Sequence, residues 1–493
     1  STTDPLLHST TYAYNAASEM TGTTDRDGRV RNFGYDAVGR QTSETWLNSL
    51  NQAIYTATYA FDAAGERTSA SDPFSTYSYG YDAANRLTSV DNLGTPGVPH
   101  VVLTYGYDVY NNRSSLSDSL GASLVYSFDA AHRLNGLGLT LSVGGLNVGF
   151  TYDAANRLTN ISRSPSTGDN ITTSFTFDNA NRLTNITHTD ASKALTLAGY
   201  TYGYDAASQL TNYSGPDGSL TYGYDGDGQL TSVTGARSES FSYDKNGNRT
   251  MAGYTTGAGN ELTSDGVYNY TYDNEGNTLT QTQIATGTVT NYTWDYRNRL
   301  TEVQVKSSTG TVLNDEKFTY DVNDNRIGVM LNGVQQSWTV FDGANPYMDF
   351  NGSGALTERY LTNPNGLSQF YARVSASGVV NWYLTDNLGS VRQIVDTSGT
   401  VLDALVYSSF GNGVSETNPA NGDRFKFAGG ANDSITGNDQ FGARPYGPGV
   451  GRFRSQDPES FGAGDADLYR YSFNQPTDLT DPSGMDIGGT WAW

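Results

Sequence analysis

Apolar and polar residues alternate in short runs along most of the chain, and the runs come in pairs. In "LNVGFTYD" (146–153), Leu146, Val148, Phe150 and Tyr152 alternate with Asn147, Gly149, Thr151 and Asp153, the two-residue period of a strand with one apolar face. The preceding run places Leu137, Leu139, Leu141 and Val143 on alternate positions and meets it at Gly144-Gly145, which predicts a hairpin closed by a primed turn. In "VVLTYGYD" (101–108), Val101, Leu103, Tyr105 and Tyr107 share a face. The paired tyrosines therefore belong to the apolar side.

These hairpins repeat. Alignment on the aspartate after the second aromatic gives Asp36, Asp62, Asp82, Asp108, Asp129, Asp153, Asp178, Asp205, Asp225, Asp244, Asp273, Asp295 and Asp321, with Asn15 in the first copy, so fourteen copies stand 19 to 29 residues apart. Three residues past the aspartate, ten copies carry Gly or Asn, the residues that enter the left-handed backbone region most cheaply. The aspartate carboxylate is placed to accept backbone N–H groups within such a turn. Arg40, Arg86, Arg133, Arg157, Arg182 and Arg299 follow directly and are close enough to pair with it. Exposed pairs of this kind organise a turn and add little else.

A lone hairpin cannot bury its apolar face, whereas neighbours paired edge to edge share one surface. Fourteen hairpins with strands ~4.8 Å apart make a ribbon on the order of 130 Å long and ~20 Å wide. Twist prevents so long a ribbon from staying flat. The expected fold is all-β: a spiral ribbon of antiparallel β-hairpins rolled into a hollow shell.

Composition agrees and narrows the function. Apolar residues make up 36%, with 56 Gly and 35 Tyr, usage that suits strands and turns better than helices. A net charge of −22 repels phosphate backbones, which argues against a nucleic-acid partner. There is no cysteine, hence no disulfide frame or thiolate metal site. No apolar run reaches the length of a membrane helix. "DGDG" (225–228) and "DRDG" (25–28) lack the further ligands of a calcium loop and read as turns. His8, His100, His132 and His188 stand too far apart for a zinc motif. Neither a metal nor a cofactor is expected.

The "YDAANRLT" units resemble the YD repeats of the Rhs family, shared with the C components of Tc toxins and with teneurins. "WYLTDNLGSVRQIVDTSGTVL" (382–402) and "GRFRSQDPESFGAGDADLYRYSFNQPTDLTDPSGM" (451–485) resemble the Rhs-repeat-associated core domain. The resemblance implies a cocoon over residues 1–330, a less regular continuation over 331–373, a capping core domain over 374–485 and a tail over 486–493. It also implies a bacterial secreted or cell-surface protein whose shell encloses its own C-terminal segment or toxin cargo, with secretion-system or surface partners. The alternative is a structural or adhesive extracellular protein without a payload.

In many relatives the core cuts the chain just past its DPxG segment in an aspartyl-protease-like reaction. By motif, Arg452, Asp457 and Asp481 match catalytic-region positions, with Pro482 and Gly484 in the DPxG segment. Asp465 is the candidate second carboxylate, with Asp467 its neighbour. The cleavage site is expected at Gly484, Met485 and Asp486, with Met485 where the pattern usually has Leu and the scissile bond following it. Two close carboxylates cannot both ionise freely, so one stays protonated to polarise a carbonyl while the other activates water. Arg452 would lower one partner's pKa or steady the oxyanion. The family's "YYRARYYDP" run is reduced here to "FGARPYGPG" (441–449). Trp491 and Trp493 read as apolar anchors against the inner wall. Self-cleavage is the only enzymatic activity expected; external substrates are not.

Overall fold

The computed structural model describes residues 1–485 and 488–489, so Asp486, Trp491 and Trp493 lie outside the described residues. Strands pair antiparallel with their neighbours in sequence: 22 from Thr2–Thr3 to Glu239–Ser240 form one sheet, and 16 from Tyr254–Thr256 to Gly413–Glu416 form a second. Helical structure among the described residues is limited to four short 3-10 turns. The chain is all-β, a ribbon of antiparallel hairpins. Residues 331–373 carry four strands of this ribbon, from Val334–Asp342 to Phe370–Ser375, and the pairing runs on past residue 374.

Each repeat turn is built by its aspartate. Asp82 Oδ1 accepts the N–H groups of Ala84 and Arg86 at 2.8 and 3.1 Å, and the Asn85 N–H returns to the Asp82 carbonyl. All fourteen copies place a positive φ three residues past the aspartate, including Ser18, His132, Ser208 and Asp324 at 60–69°. Pairing shifts register at the second aromatic, for example between Gly106 and Tyr107 and between Thr151 and Tyr152. Such a bulge bends its strand and adds right-handed twist. Recurring from copy to copy, it curls the ribbon.

The turn arginine does more than close its own loop. Arg86 Nε lies 2.7 Å from Asp82 Oδ2, its guanidinium stacks 4.8 Å from the Tyr107 ring centre, and Nη1 reaches the Asp108 carbonyl at 3.3 Å. Tyr107 donates its hydroxyl back to the Leu87 carbonyl at 2.7 Å. Arg133 on Tyr152, Arg182 on Tyr204 and Arg299 on Tyr320 repeat the stacking, and those tyrosines donate to Leu134, Leu183 and Leu300. Each arginine therefore joins two copies.

One turn falls elsewhere than the sequence suggests. Leu141 pairs with Gly144 and Thr140 with Gly145, so the loop is Ser142-Val143 and both glycines lie in the strand. A side chain at 145 would come within 2.5 Å of the Leu139 carbonyl; that glycine serves close strand approach. Val143 sits at the tip, 59% exposed, while Leu137, Leu139, Leu146, Val148 and Phe150 are buried as their alternation predicts.

The second sheet returns along the first. Arg26 meets Glu275 at 3.0 Å, Arg297 meets Glu44 at 2.8 Å, Arg359 meets Asp118 at 3.0 Å, and Ser409 meets Glu239 at 3.2 Å. From Arg26 to Glu239 the first pass uses 213 residues, while from Glu275 to Ser409 the second uses 134. The second pass thus follows a shorter arc. Between the passes, Tyr105, Tyr200, Tyr202 and Tyr222 share one apolar layer with Phe350, Trp382 and Leu384.

Tyr107→Phe removes the hydroxyl bond to Leu87 and is expected to cost about 1 kcal/mol, seen as a lower urea midpoint. Ser208→Gly relieves a left-handed backbone and is expected to stabilise by about 0.5–1 kcal/mol, measured in the same titration.

Candidate functional site

Beyond Glu416 the chain leaves the ribbon and forms a small sheet from Ala431–Asn432, Asp439–Phe441, Arg444–Gly447 and Arg452–Phe453. Its centre is aromatic: the Tyr446 and Tyr471 rings lie 4.4 Å apart, surrounded by the buried Phe427, Phe441 and Phe453. This unit docks on both passes. Asn474 donates to Gln229 Oε1 on the first, and on the second Tyr469 donates to the Gly276 carbonyl and Asn387 to the Thr477 carbonyl.

Asp457 and Asp481 come together, on an arginine the motif comparison did not select. Arg444 Nη2 lies 2.8 Å from Asp457 Oδ2 and 3.1 Å from Asp481 Oδ2. Its Nε donates to the Gly484 carbonyl at 2.5 Å and Nη1 to the Leu468 carbonyl at 3.1 Å. Asp481 Oδ1 accepts the Met485 N–H at 3.1 Å and the Ser483 hydroxyl at 3.0 Å. Both carboxylates and the segment running into Met485 thus surround one guanidinium, itself stacked 3.6 Å from the Phe453 ring centre.

Arg452 and Asp465 have other partners. Arg452 donates to the Asn260 carbonyl at 2.6 Å and pairs with Asp467 at 3.3 Å, while Arg470 grips both Asp465 oxygens at 2.7 and 2.8 Å. A cue to Arg444 was present in the sequence: "ARPYGP" keeps the second arginine of "RARYYDP" while Gly447 replaces the aspartate.

Burial governs the charges here. It pushes Asp481 above its ordinary carboxylate range despite the pull of Arg444, and pushes Arg444 below its own ordinary value. A cavity of about 820 Å³ adjoins the group, lined by Arg444, Asp457 and Met485 from the core unit and by Tyr12, Arg26 and Glu275 from the ribbon. The arrangement offers a carboxyl inclined to hold a proton, a second carboxylate on the same guanidinium, and a chain segment bound to both.

A two-pass hairpin ribbon closed by an aromatic unit defines the class, a YD-repeat shell protein. The chain belongs to the teneurin YD-shell family, whose profile matches residues 206–477, and the RHS repeat profile matches 61–96. It is similar to the tRNA3(Ser)-specific nuclease WapA of Bacillus spizizenii, 28% identical over 308 residues, covering 60% of this chain and 11% of the relative. It is likewise similar to the double-stranded DNA deaminase toxin A of Burkholderia cenocepacia, 28% identical over 284 residues, 50% of this chain and 19% of that one. Among solved structures, TcdB2-TccC3 without its hypervariable C-terminal region aligns at TM-score 0.74 and 17% identity, and the Photorhabdus luminescens Tc holotoxin pore at 0.76 and 17%. They cover 97% and 98% of this chain and 27% of each of theirs. The fold is that of the Tc shell; the chain spans about a tenth to a fifth of those curated relatives.

Because the folded-state pKa of Asp481 is raised, its stabilising contribution is full below the unfolded value of ~4 and is lost as pH rises through the folded value. Raising the pH across that window should lower the unfolding midpoint of the wild type relative to Asp481→Asn, measured by thermal melts at fixed ionic strength.

Proposed function

We propose that this chain is the shell wall and capping core of a bacterial secreted or cell-surface Rhs-type protein, enclosing a C-terminal toxin segment and cutting itself after Met485. The observation that carries the cutting is the placement of Asp457, Asp481 and the Gly484–Met485 segment on one buried guanidinium. In the reaction, water adds to the Met485 carbonyl carbon, Asp457 takes the water's proton, and Asp481 in its protonated form supplies a proton to the leaving nitrogen of Asp486. The C–N bond then breaks, leaving a carboxyl and an amine.

Enclosure is supported by what the relatives do not share. By name, one acts on tRNA and another on double-stranded DNA, yet both resemble this chain over about 300 residues. The stretch each shares with this chain is 11% and 19% of its own length, a part suited to a task independent of either chemistry, and a wall that houses different cargoes is such a task. Its charge of −22 also makes it an unsuitable surface for nucleic acid. A payload-free surface role is the second reading, favoured by the likeness to salivary gland surface protein 1 of Aedes aegypti, 28% identical over 195 residues.

Intact-mass measurement should find the purified wild type divided after Met485, and Asp481→Asn and Asp457→Asn undivided. A single uncut wild-type species would remove self-cleavage while leaving the shell. A reporter peptide joined after Trp493 should resist added protease until the shell is unfolded; immediate digestion would favour the payload-free reading.

A further inference from the structure

We propose that Arg249 and Arg452 hold a single monatomic anion, such as chloride, in a small void where the Asp244 turn of the ribbon meets the C-terminal unit. The site is separate from the Asp457 and Asp481 pair, and it does not depend on self-cleavage.

Register puts Arg249 there. In six copies an arginine stands four residues past the turn aspartate and pairs with it, but in this copy that position is Asn248, whose amide binds the Asp244 carboxylate at 3.1 Å. Arg249, one residue later, points to the opposite side of the strand. Its guanidinium packs on the Phe241 and Phe410 rings, 4.8 and 4.2 Å from their centres, and the residue is 8% exposed. Rings cover the faces of that plane but not its edge. Nε and Nη2 are buried and meet no acceptor among the described residues, and no carboxylate among them pairs with Arg249. Arg113, at the same offset from Asp108, finds Asp342 at 2.7 Å. A buried charge is ordinarily matched in this way.

The void beside Arg249 measures about 10 Å³, room for one water-sized particle. Arg452, Arg470 and Asp467 line it from the C-terminal unit. Arg452 spends Nη2 on the Asn260 carbonyl and Asp467, and its buried Nε has no acceptor either. Arg470 is held by both oxygens of Asp465. Three guanidiniums thus face two carboxylates, and burial pushes Asp467 above its ordinary range, which deepens the positive surplus. Asp244 is exposed to solvent and bound by Asn248. Two glycines with positive φ admit the charges this closely: a side chain at Gly451 would run into Arg249 Nη2, and one at Gly247 into Arg470 Nη1. So small a volume excludes sulfate, phosphate and carboxylates. A water there would reach Asn248 Oδ1, which also lacks a partner, but would leave the charge unanswered. A halide answers it and ties the Asp244 turn to the C-terminal unit.

Thermal melts of the full chain at fixed ionic strength test the site, with sodium chloride replacing sodium gluconate from ~1 to ~100 mM. The midpoint should rise by about 1–3 °C, because an ion bound only by the folded state stabilises it through mass action. Arg249→Gln should lose that dependence whatever its own midpoint, and Arg113→Gln, which also removes a buried arginine, should keep it. Crystals in sodium bromide should show anomalous scattering between Arg249 and Arg452. Equal midpoints in chloride and gluconate would overturn the proposal. So would a dependence that survives Arg249→Gln or disappears in Arg113→Gln, and so would density in the void without a bromide signal, which marks a water.

Discussion

An arginine held by one turn's aspartate and stacked on the next copy's ring is the joint on which the wall depends. Backbone pairing alone would link the strands, but it leaves the angle between successive hairpins loosely set. The guanidinium adds a fixed spacing: Arg86 is anchored at Asp82, lies flat on Tyr107, and bonds the backbone at Asp108. Tyr107 answers with a bond to Leu87, one residue past that same arginine. The six copies that carry this arginine thereby orient the copy that follows, and the bulge beside the second aromatic turns that orientation into curvature. Individual surface ion pairs contribute little; their value here is geometric.

Much of this was legible because it is local. The aspartate, the residue three places on and the alternating strands lie within a few positions of one another, and the structure returns them. What residue type concealed was conformation at Ser18, His132, Ser208 and Asp324, where neighbouring turn bonds hold φ > 0 at residues other than the Gly or Asn of the remaining copies. Gly144 and Gly145 misled for the opposite reason, since glycine marks close strand approach as well as turns. The seam was illegible: Arg26 and Glu275 are 249 residues apart, and no local pattern pairs them.

In the C-terminal unit, motif resemblance singled out Asp457 and Asp481, and the fold brings them to one place. It also singled out Arg452 and Asp465, which the fold commits to Asp467 and Arg470. Arginine and aspartate are abundant in this stretch, and their partners depend on which loop crosses which. Arg444 sat in the segment where the family run is reduced to "FGARPYGPG".

The two-pass layout has a consequence for how such a molecule is made. Hairpin contacts join residues a few tens of positions apart and can form as the polypeptide emerges, whereas the seam contacts named above span 170 to 253 residues. Loop closure over such distances is slow relative to local pairing. Local hairpin pairing therefore precedes the seam, and the apolar layer between the passes is covered only as the second pass is synthesised and meets the first.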